Sequence, residues 1–295
     1  MVVPVTLEIV LVPRDEVVGS KLDGAPGWLE YAAELRGVLA AAVAASGVSF
    51  LEIDVLNVWE PLPEELAWLR NGVGVSPEQA VDLFVEMLGR GDSPSFRLRG
   101  GNVLRIEQSW DGWVFLPATR EIYDALEGLP EEHLEIGWRS SQPDVMKADI
   151  PVRAVADDAF WATVRVAAQE KTTLLSERWA FGKCGSRWFL LTKDNVDQVI
   201  AEIRPRSLVS VVVNPDLRTR SLNEDFTAFS APLEPGELAH RQLPVGVNGE
   251  DELAEVTGAG FDLFLAGAAL AELYAVVPDT DGVVRMEWDD PKQFL

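Results

Sequence analysis

Apolar and polar positions along this chain alternate between a period of two and a period near 3.6. The alternation divides it into short strands and amphipathic helices. Residues 5–12 form a β-rich apolar run closed by Pro13, which predicts a strand. A turn at residues 24–27 leads into residues 28–46, where Ala and Leu recur at helical spacing up to Gly47, a favoured C-cap residue. Residues 50–59 alternate Leu51, Ile53 and Val55 with Glu52 and Asp54, the pattern of a half-buried strand. Strand, helix and strand in series predict a βαβ-like opening.

Leu62, Leu66 and Leu69 share a face if residues 61–70 are helical. Ser76-Pro77-Glu78-Gln79 then reads as an N-cap, a first-turn proline and a capping-box glutamine, opening a helix that stops at Gly89-Arg90-Gly91. Three strands follow near 95–99, 103–109 and 113–116, joined by Gly100-Gly101 and Asp111-Gly112, so an antiparallel meander is expected.

Two stretches share one order of features. In the first, the turn Ser109-Trp110-Asp111-Gly112 precedes Trp113-Val114-Phe115-Leu116, the helical set Ile122, Ala125, Leu126 and Leu129, a run at 134–138, and Pro143-Asp144. In the second, Lys183-Cys184-Gly185-Ser186 precedes Trp188-Phe189-Leu190-Leu191, the helical set Val196, Val199, Ile200 and Ile203, a run at 208–213, and Pro215-Asp216. The offset is too long for a solenoid repeat and points to a domain-level duplication. A helix after Asp157-Asp158 and a strand at 174–181 extend the second stretch.

Beyond residue 222 the texture changes. Residues 223–256 are rich in Pro, Gly and acid, which predicts a long irregular connection ending in a short helix after Glu250-Asp251-Glu252. Residues 258–277 are the most apolar long stretch, but Asp262 and Glu272 would be costly in a bilayer, so 262–277 reads as a buried helix. A turn at 278–282 and a strand at 283–288 close the pattern.

The expected class is α+β, or mixed α/β. Residues 1–75 form an N-terminal strand–helix–strand with a short helix. Residues 76–150 and 151–222 form two similar modules of helix, antiparallel strands, helix and strand, linked near 143–151. Residues 223–295 form an acidic connection with a helix–strand extension.

At 295 residues, with 47% hydrophobic and 25% charged, the chain is long enough for a large core and globular rather than disordered. Met1-Val2-Val3-Pro4 lacks the basic start of a secretion signal, and Cys184 is the only cysteine, so neither an intrachain disulfide nor a thiolate metal cluster can form. A cytoplasmic protein is the simplest expectation. The net charge of −23 is uneven: residues 1–150 carry 25 acids against 11 bases, residues 151–220 carry 8 against 11, and residues 221–295 carry 15 against 3. Such a field repels nucleic acid and steers a basic protein toward the chain, although solubility alone also explains an acidic surface.

Catalytic patterns are sparse. His133 and His240 lie far apart and outside metal-ligand spacing, and Cys184, beside Lys183 and Arg187, reads first as a loop cysteine. The Asn71-to-Pro77 stretch lacks the strand and lysine of a phosphate loop, and Asp279-x-Asp281-Gly282 lacks the remaining ligands of a calcium loop. Adjacent acids such as Glu64-Glu65, Glu131-Glu132, Asp157-Asp158 and Asp289-Asp290 seldom point into one pocket and suit solvated helix starts better. No cofactor or metal is expected.

Arg97, Arg99 and Arg105 are placed to share one face of adjacent strands, either gripping an anion or pairing with surplus acid; Arg178, Arg187 and the later Arg204, Arg206, Arg218 and Arg220 are a second such set. Among ten tryptophans, Trp110 and Trp138 are the candidates for an exposed interaction surface, with core packing the default for the others. These features point to a non-enzymatic module that captures a basic protein partner, as an inhibitor, immunity factor or secretion chaperone would. The acids Glu250, Asp251 and Glu252 are its candidate contacts, with no nucleic-acid or membrane partner. The alternative is a carboxylate-based hydrolase with its site between the two modules.

Overall fold

A computed structural model describes residues 6–14, 24–91, 93–109, 112–141, 151–218, 225–243, 250–267 and 271–289. Among these, six α-helices and fifteen strands form antiparallel sheets, a mixed α+β fold of the expected class. The chain divides into two compact units, residues 1–148 and 149–295. Among the described residues, no helix is long and apolar enough to cross a membrane.

The first unit contains β1 (Thr6–Pro13), α1 (Trp28–Ser46), β2 (Leu51–Asn57), β3 (Gly74–Val75), α2 (Pro77–Arg90), β4 (Ser95–Gly100), β5 (Leu104–Gln108), β6 (Val114–Pro117), α3 (Arg120–Leu126) and β7 (Leu134–Ser141). Its strands make one sheet in the order β3-β2-β4-β5-β6-β1-β7. The predicted meander is β4-β5-β6, but β1 and β2 are separated by three strands rather than paired, because the ladder is antiparallel throughout. The predicted Gly47 and Ser76 caps form, and Thr119 adds a third. Gly47 takes φ +69° and returns its N–H to Ala44, the Ser76 hydroxyl accepts from the Gln79 N–H, and the Thr119 hydroxyl accepts from the Ile122 N–H. α1 packs on α2 and α3, and a Cβ at Gly89 would lie 2.6 Å from the Trp28 ring, so only glycine lets these two helices approach.

Residues 61–70 hold a single 3₁₀ turn, Glu64–Leu66, in place of the expected helix. Pro61 and Pro63 cannot donate hydrogen bonds to a helix, yet Leu66 and Leu69 still bury their side chains.

The second unit contains α4 (Asp158–Glu170), β8 (Thr173–Arg178), β9 (Ser186–Leu191), α5 (Val196–Glu202), β10 (Leu208–Val213), β11 (Phe226–Ser230), β12 (Gly236–Leu238), β13 (His240–Leu243), α6 (Glu250–Gly258), β14 (Phe261–Ala266) and β15 (Leu273–Val276). A five-stranded sheet, β12-β9-β8-β10-β15, carries α4 and α5 on one face through Trp161, Val164, Leu175, Phe189, Val199 and Val211. Its other face packs Leu174, Trp188 and Val212 on Phe229 and Leu265 of a three-stranded sheet, β13-β11-β14. That sheet is backed in turn by Val256 of α6 against Phe226, Ala228 and Phe264. The result is four layers, helix, sheet, sheet and helix.

Three sequence expectations are corrected in this unit. The supposed irregular connection at 223–256 contains β11, β12 and β13, and the supposed helix at 262–277 is β14 and β15. Both faces of β11 are buried, Phe226 and Ala228 on one side and Thr227 and Phe229 on the other, so polar alternation is lost and the strand is hidden in the sequence. In β14, Leu263 and Leu265 face one layer and Phe264 the other, which an apolar run cannot distinguish from a helical face. Residues 283–288 join no strand ladder, although Met286 and Trp288 are buried and Val152 donates its N–H to the Trp288 carbonyl.

The whole-module repeat is not what the strand order shows. β6 and β7 are joined by α3 and both pair antiparallel with β1, while β9 and β10 are joined by α5 and both pair antiparallel with β8. Each is a parallel crossover split by a central strand. The central strand comes from within residues 151–222 in the second unit, but from the distant N-terminal run in the first. The shared strand–helix–strand order therefore describes these crossovers, and the longer two-copy module is not confirmed.

Candidate interaction surface

Period-two alternation puts Ile9, Leu11, Ile53, Leu98, Ile106 and Leu116 on the buried side of the first sheet and charged residues on the other. On that second face Arg97 donates to Asp54 at 3.1 Å through Nε, Arg99 to Glu52 at 3.2 Å, and Arg105 to Glu8 at 3.0 Å and pairs with Glu107 at 3.2 Å. Glu8, only 6% exposed, also accepts from Arg139, whose guanidinium lies 3.7 Å from the Phe115 ring centroid. The three arginines thus do share a face, each held by a carboxylate. An anionic ligand would have to displace an acid at every one of them.

Part of the second arginine set converges at the far end of β8. Glu177 is fully buried and accepts from Arg187, from the Arg204 N–H and from the Ser207 hydroxyl. Burial lowers the pKa of Arg178 and of Arg204; the Arg204 guanidinium lies 4.0 Å from the Trp179 ring centroid. The Asp279-x-Asp281 turn is filled by protein: Arg206 and Arg285 both donate to Asp279, and Arg285 also donates to Asp281. These arginines hold Asp279 below the usual carboxylate range. Among the described residues no group of three or more His, Cys, Asp or Glu could hold a metal ion.

His133 and His240 lie in different units. His240 Nε2 is 3.3 Å from the Ser186 hydroxyl and its Nδ1 is 3.4 Å from the Leu238 carbonyl, and burial pushes its pKa down. This Ser–His contact was not legible in the sequence, since the two residues are 54 positions apart. Cys184 sits partly buried in the 3₁₀ turn Lys183–Gly185.

Tryptophan burial separates the units. Trp161, Trp179, Trp188 and Trp288, all in the second, are buried. In the first, Trp28 is buried but Trp59, Trp68, Trp113 and Trp138 are 45%, 39%, 39% and 47% exposed. Trp110 lies outside the described residues. Trp138 projects from β7, the terminal strand of its sheet, and its ring centroid is 5.1 Å from that of Tyr123 on α3, itself 45% exposed. Along α3 and the segment leading into β7, Glu121, Asp124, Glu127, Glu131 and Glu132 are exposed, with Asp124 paired to Arg120 and Glu131 to Arg14.

Of the other candidate acids, Glu250, Asp251 and Glu252 open α6. Glu252 is partly buried, and the side chains of Glu250 and Asp251 lie outside the described residues. Glu255 one turn on pairs with Arg241 at 3.5 Å.

By class, the chain is a helix-backed antiparallel sheet followed by a four-layer α+β unit, with an aromatic surface on the first. Comparison with protein-family models, curated proteins and solved structures finds no match to it.

Proposed function

We propose that this chain is a non-enzymatic binding module that captures a basic protein, in the manner of an inhibitor, an immunity factor or a secretion chaperone, and that the α3–β7 corner is its contact surface. The observation supporting this is the Tyr123–Trp138 pair, two large rings left nearly half exposed while the tryptophans of the second unit are buried. Aromatic anchors of this kind supply much of the energy of protein interfaces. The exposed acids of α3 and of the segment before β7 add steering: they accelerate encounter with a positive partner and make association sensitive to salt.

Affinity capture from native lysate, followed by mass spectrometry and association kinetics, tests the reading. Wild-type chain should retain a basic protein. Trp138→Ala should lose it, and Glu131→Ser/Glu132→Ser should slow association more than it speeds dissociation. A Glu250→Ser/Asp251→Ser/Glu252→Ser variant tests the acidic start of α6 as the competing contact. Equal recovery by wild type and Trp138→Ala, or association indifferent to salt, would remove this surface from consideration.

A further inference from the structure

We propose that β7 also pairs with β7 of a second copy of this chain, antiparallel and centred on Gly137, so that one sheet runs through two first units. Backbone parity supports the pairing. The Arg14 N–H donates to the His133 carbonyl at 3.0 Å, immediately beyond the Pro13–Leu134 pair. Hydrogen-bonded pairs alternate in an antiparallel ladder, so Glu135, Gly137 and Arg139 turn their backbone groups to β1, while Leu134, Ile136, Trp138 and Ser140 turn theirs away. Two side-chain contacts agree with this parity. The Ile136 N–H donates to the Glu131 carboxylate at 3.3 Å, and the Leu134 carbonyl accepts from Arg14 Nε at 3.1 Å. Both capping side chains are more than 40% exposed, so burial does not lock them in place. Among the described residues no such cap reaches Trp138 or Ser140, and the one strand paired with β7 is β1.

Side-chain chemistry selects both the occupant and the register. Centred on Gly137, the strand sets Glu135 against the second copy's Arg139, and Arg139 against the second copy's Glu135, on one face. On the other face it sets Ile136 against Trp138 twice. Opposite charges and an aliphatic–aromatic pair are favourable cross-strand neighbours. A shift of the centre to Arg139 would oppose two guanidinium groups, and a shift to Trp138 would set Gly137 against Arg139. A two-fold axis through the edge makes both contacts reciprocal, the signature of an isologous interface. Eight residues per copy bury less than a standard interface, so the dimer is weak and concentration-dependent. A captured basic partner would compete for the same corner, but self-association is measured on the purified chain alone, and its failure leaves the capture reading untouched.

Sedimentation of the purified chain over a ~100-fold concentration range provides the first test, with a reversible monomer–dimer equilibrium expected. Glu135→Lys, an exposed change, should weaken the dimer at least ~fivefold by replacing two attractive pairs with repulsive ones. The register is tested by Gly137→Cys in a Cys184→Ser background. A Cβ at Gly137 meets only the Val10 carbonyl oxygen at 3.7 Å, an ordinary contact, so the variant should fold. Its thiols would sit across a pair whose Cα atoms are ~4.5 Å apart, within disulfide reach, whereas Glu135→Cys places them roughly 13 Å apart. Rapid oxidative cross-linking at 137 and little at 135 is the expected result. A chain that stays monomeric throughout, or cross-links equally at both positions, would overturn the proposal.

Discussion

Glu177 and Arg187 stand directly opposite each other on β8 and β9, and the guanidinium donates to the fully buried carboxylate at 2.7 Å. The second carboxylate oxygen takes the Arg204 N–H at 2.6 Å and the Ser207 hydroxyl at 3.1 Å, while Arg187 reaches on to the Glu202 carbonyl. One ion pair thus ties β8 to β9, to the end of α5 and to the start of β10. Removing one member leaves a buried charge uncompensated, which typically costs ~3–5 kcal/mol. Arg187→Met is expected to destabilise by about that amount in urea unfolding at pH 7. A loss under ~1 kcal/mol would show the pair to be dispensable.

A second prediction concerns the residues whose strands were hidden in the sequence. Phe229 is fully buried between the two sheets of the second unit, with its ring edge-on to Trp188 at 5.4 Å between centroids. Phe229→Ala should cost ~3–5 kcal/mol, as large-to-small core changes do. An irregular surface connection at that position would tolerate the change with a loss below ~0.5 kcal/mol.

His240 supplies a pH prediction with a definite sign. Burial depresses its folded pKa, with the Leu238 and Lys183 carbonyls opposing the shift, so the native state resists protonation. An unfolded histidine titrates near ~6.5. Its contribution to stability is therefore complete above that pH and declines as pH falls below it, until the lower folded value is passed, by at most ~1.4 kcal/mol per pH unit. Replacement by Gln should remove that decline, so the difference in urea midpoint between wild type and His240→Gln should change from pH 7.5 to pH 5. A constant difference would contradict the assignment.

Asp279 acts in a lower window. Hydrogen bonds from Arg206 and Arg285 depress its folded pKa, so its stabilisation is present above the ordinary Asp value of ~3.9 and is lost as pH falls from there through the folded value. Asp279→Asn should cost ~1–3 kcal/mol at pH 7, a charged hydrogen-bond contribution, and nearly nothing at pH 2. Thermal unfolding at the two pH values distinguishes this from a purely steric effect, which would persist in acid.

Much of the local structure follows from the sequence alone. The Trp28–Ser46 helix ends at Gly47 because glycine takes the left-handed conformation without cost, and Ser76, Thr119 and Asp157 cap helices because their side-chain oxygens reach a backbone N–H three residues on. The alternation of arginine with Phe96 and Leu98 likewise puts Arg97 and Arg99 on one face, since the strand period is two. Such features depend on residues within one turn or one strand of each other. Which strands become neighbours does not. Only the tertiary structure places β1 between β6 and β7 while β8 takes the matching place between β9 and β10, because ladder pairing is decided by which apolar faces close a common core. The same reason hides β11, whose two buried faces erase the polar alternation that marks a strand, and β14, whose Leu265 and Phe264 bury into opposite layers. The Tyr123–Trp138 contact, the Ser186–His240 contact and the outward backbone groups of β7 belong to this second kind of information. Each joins residues that nothing in their sequence spacing relates, and each exists only because the layers have packed.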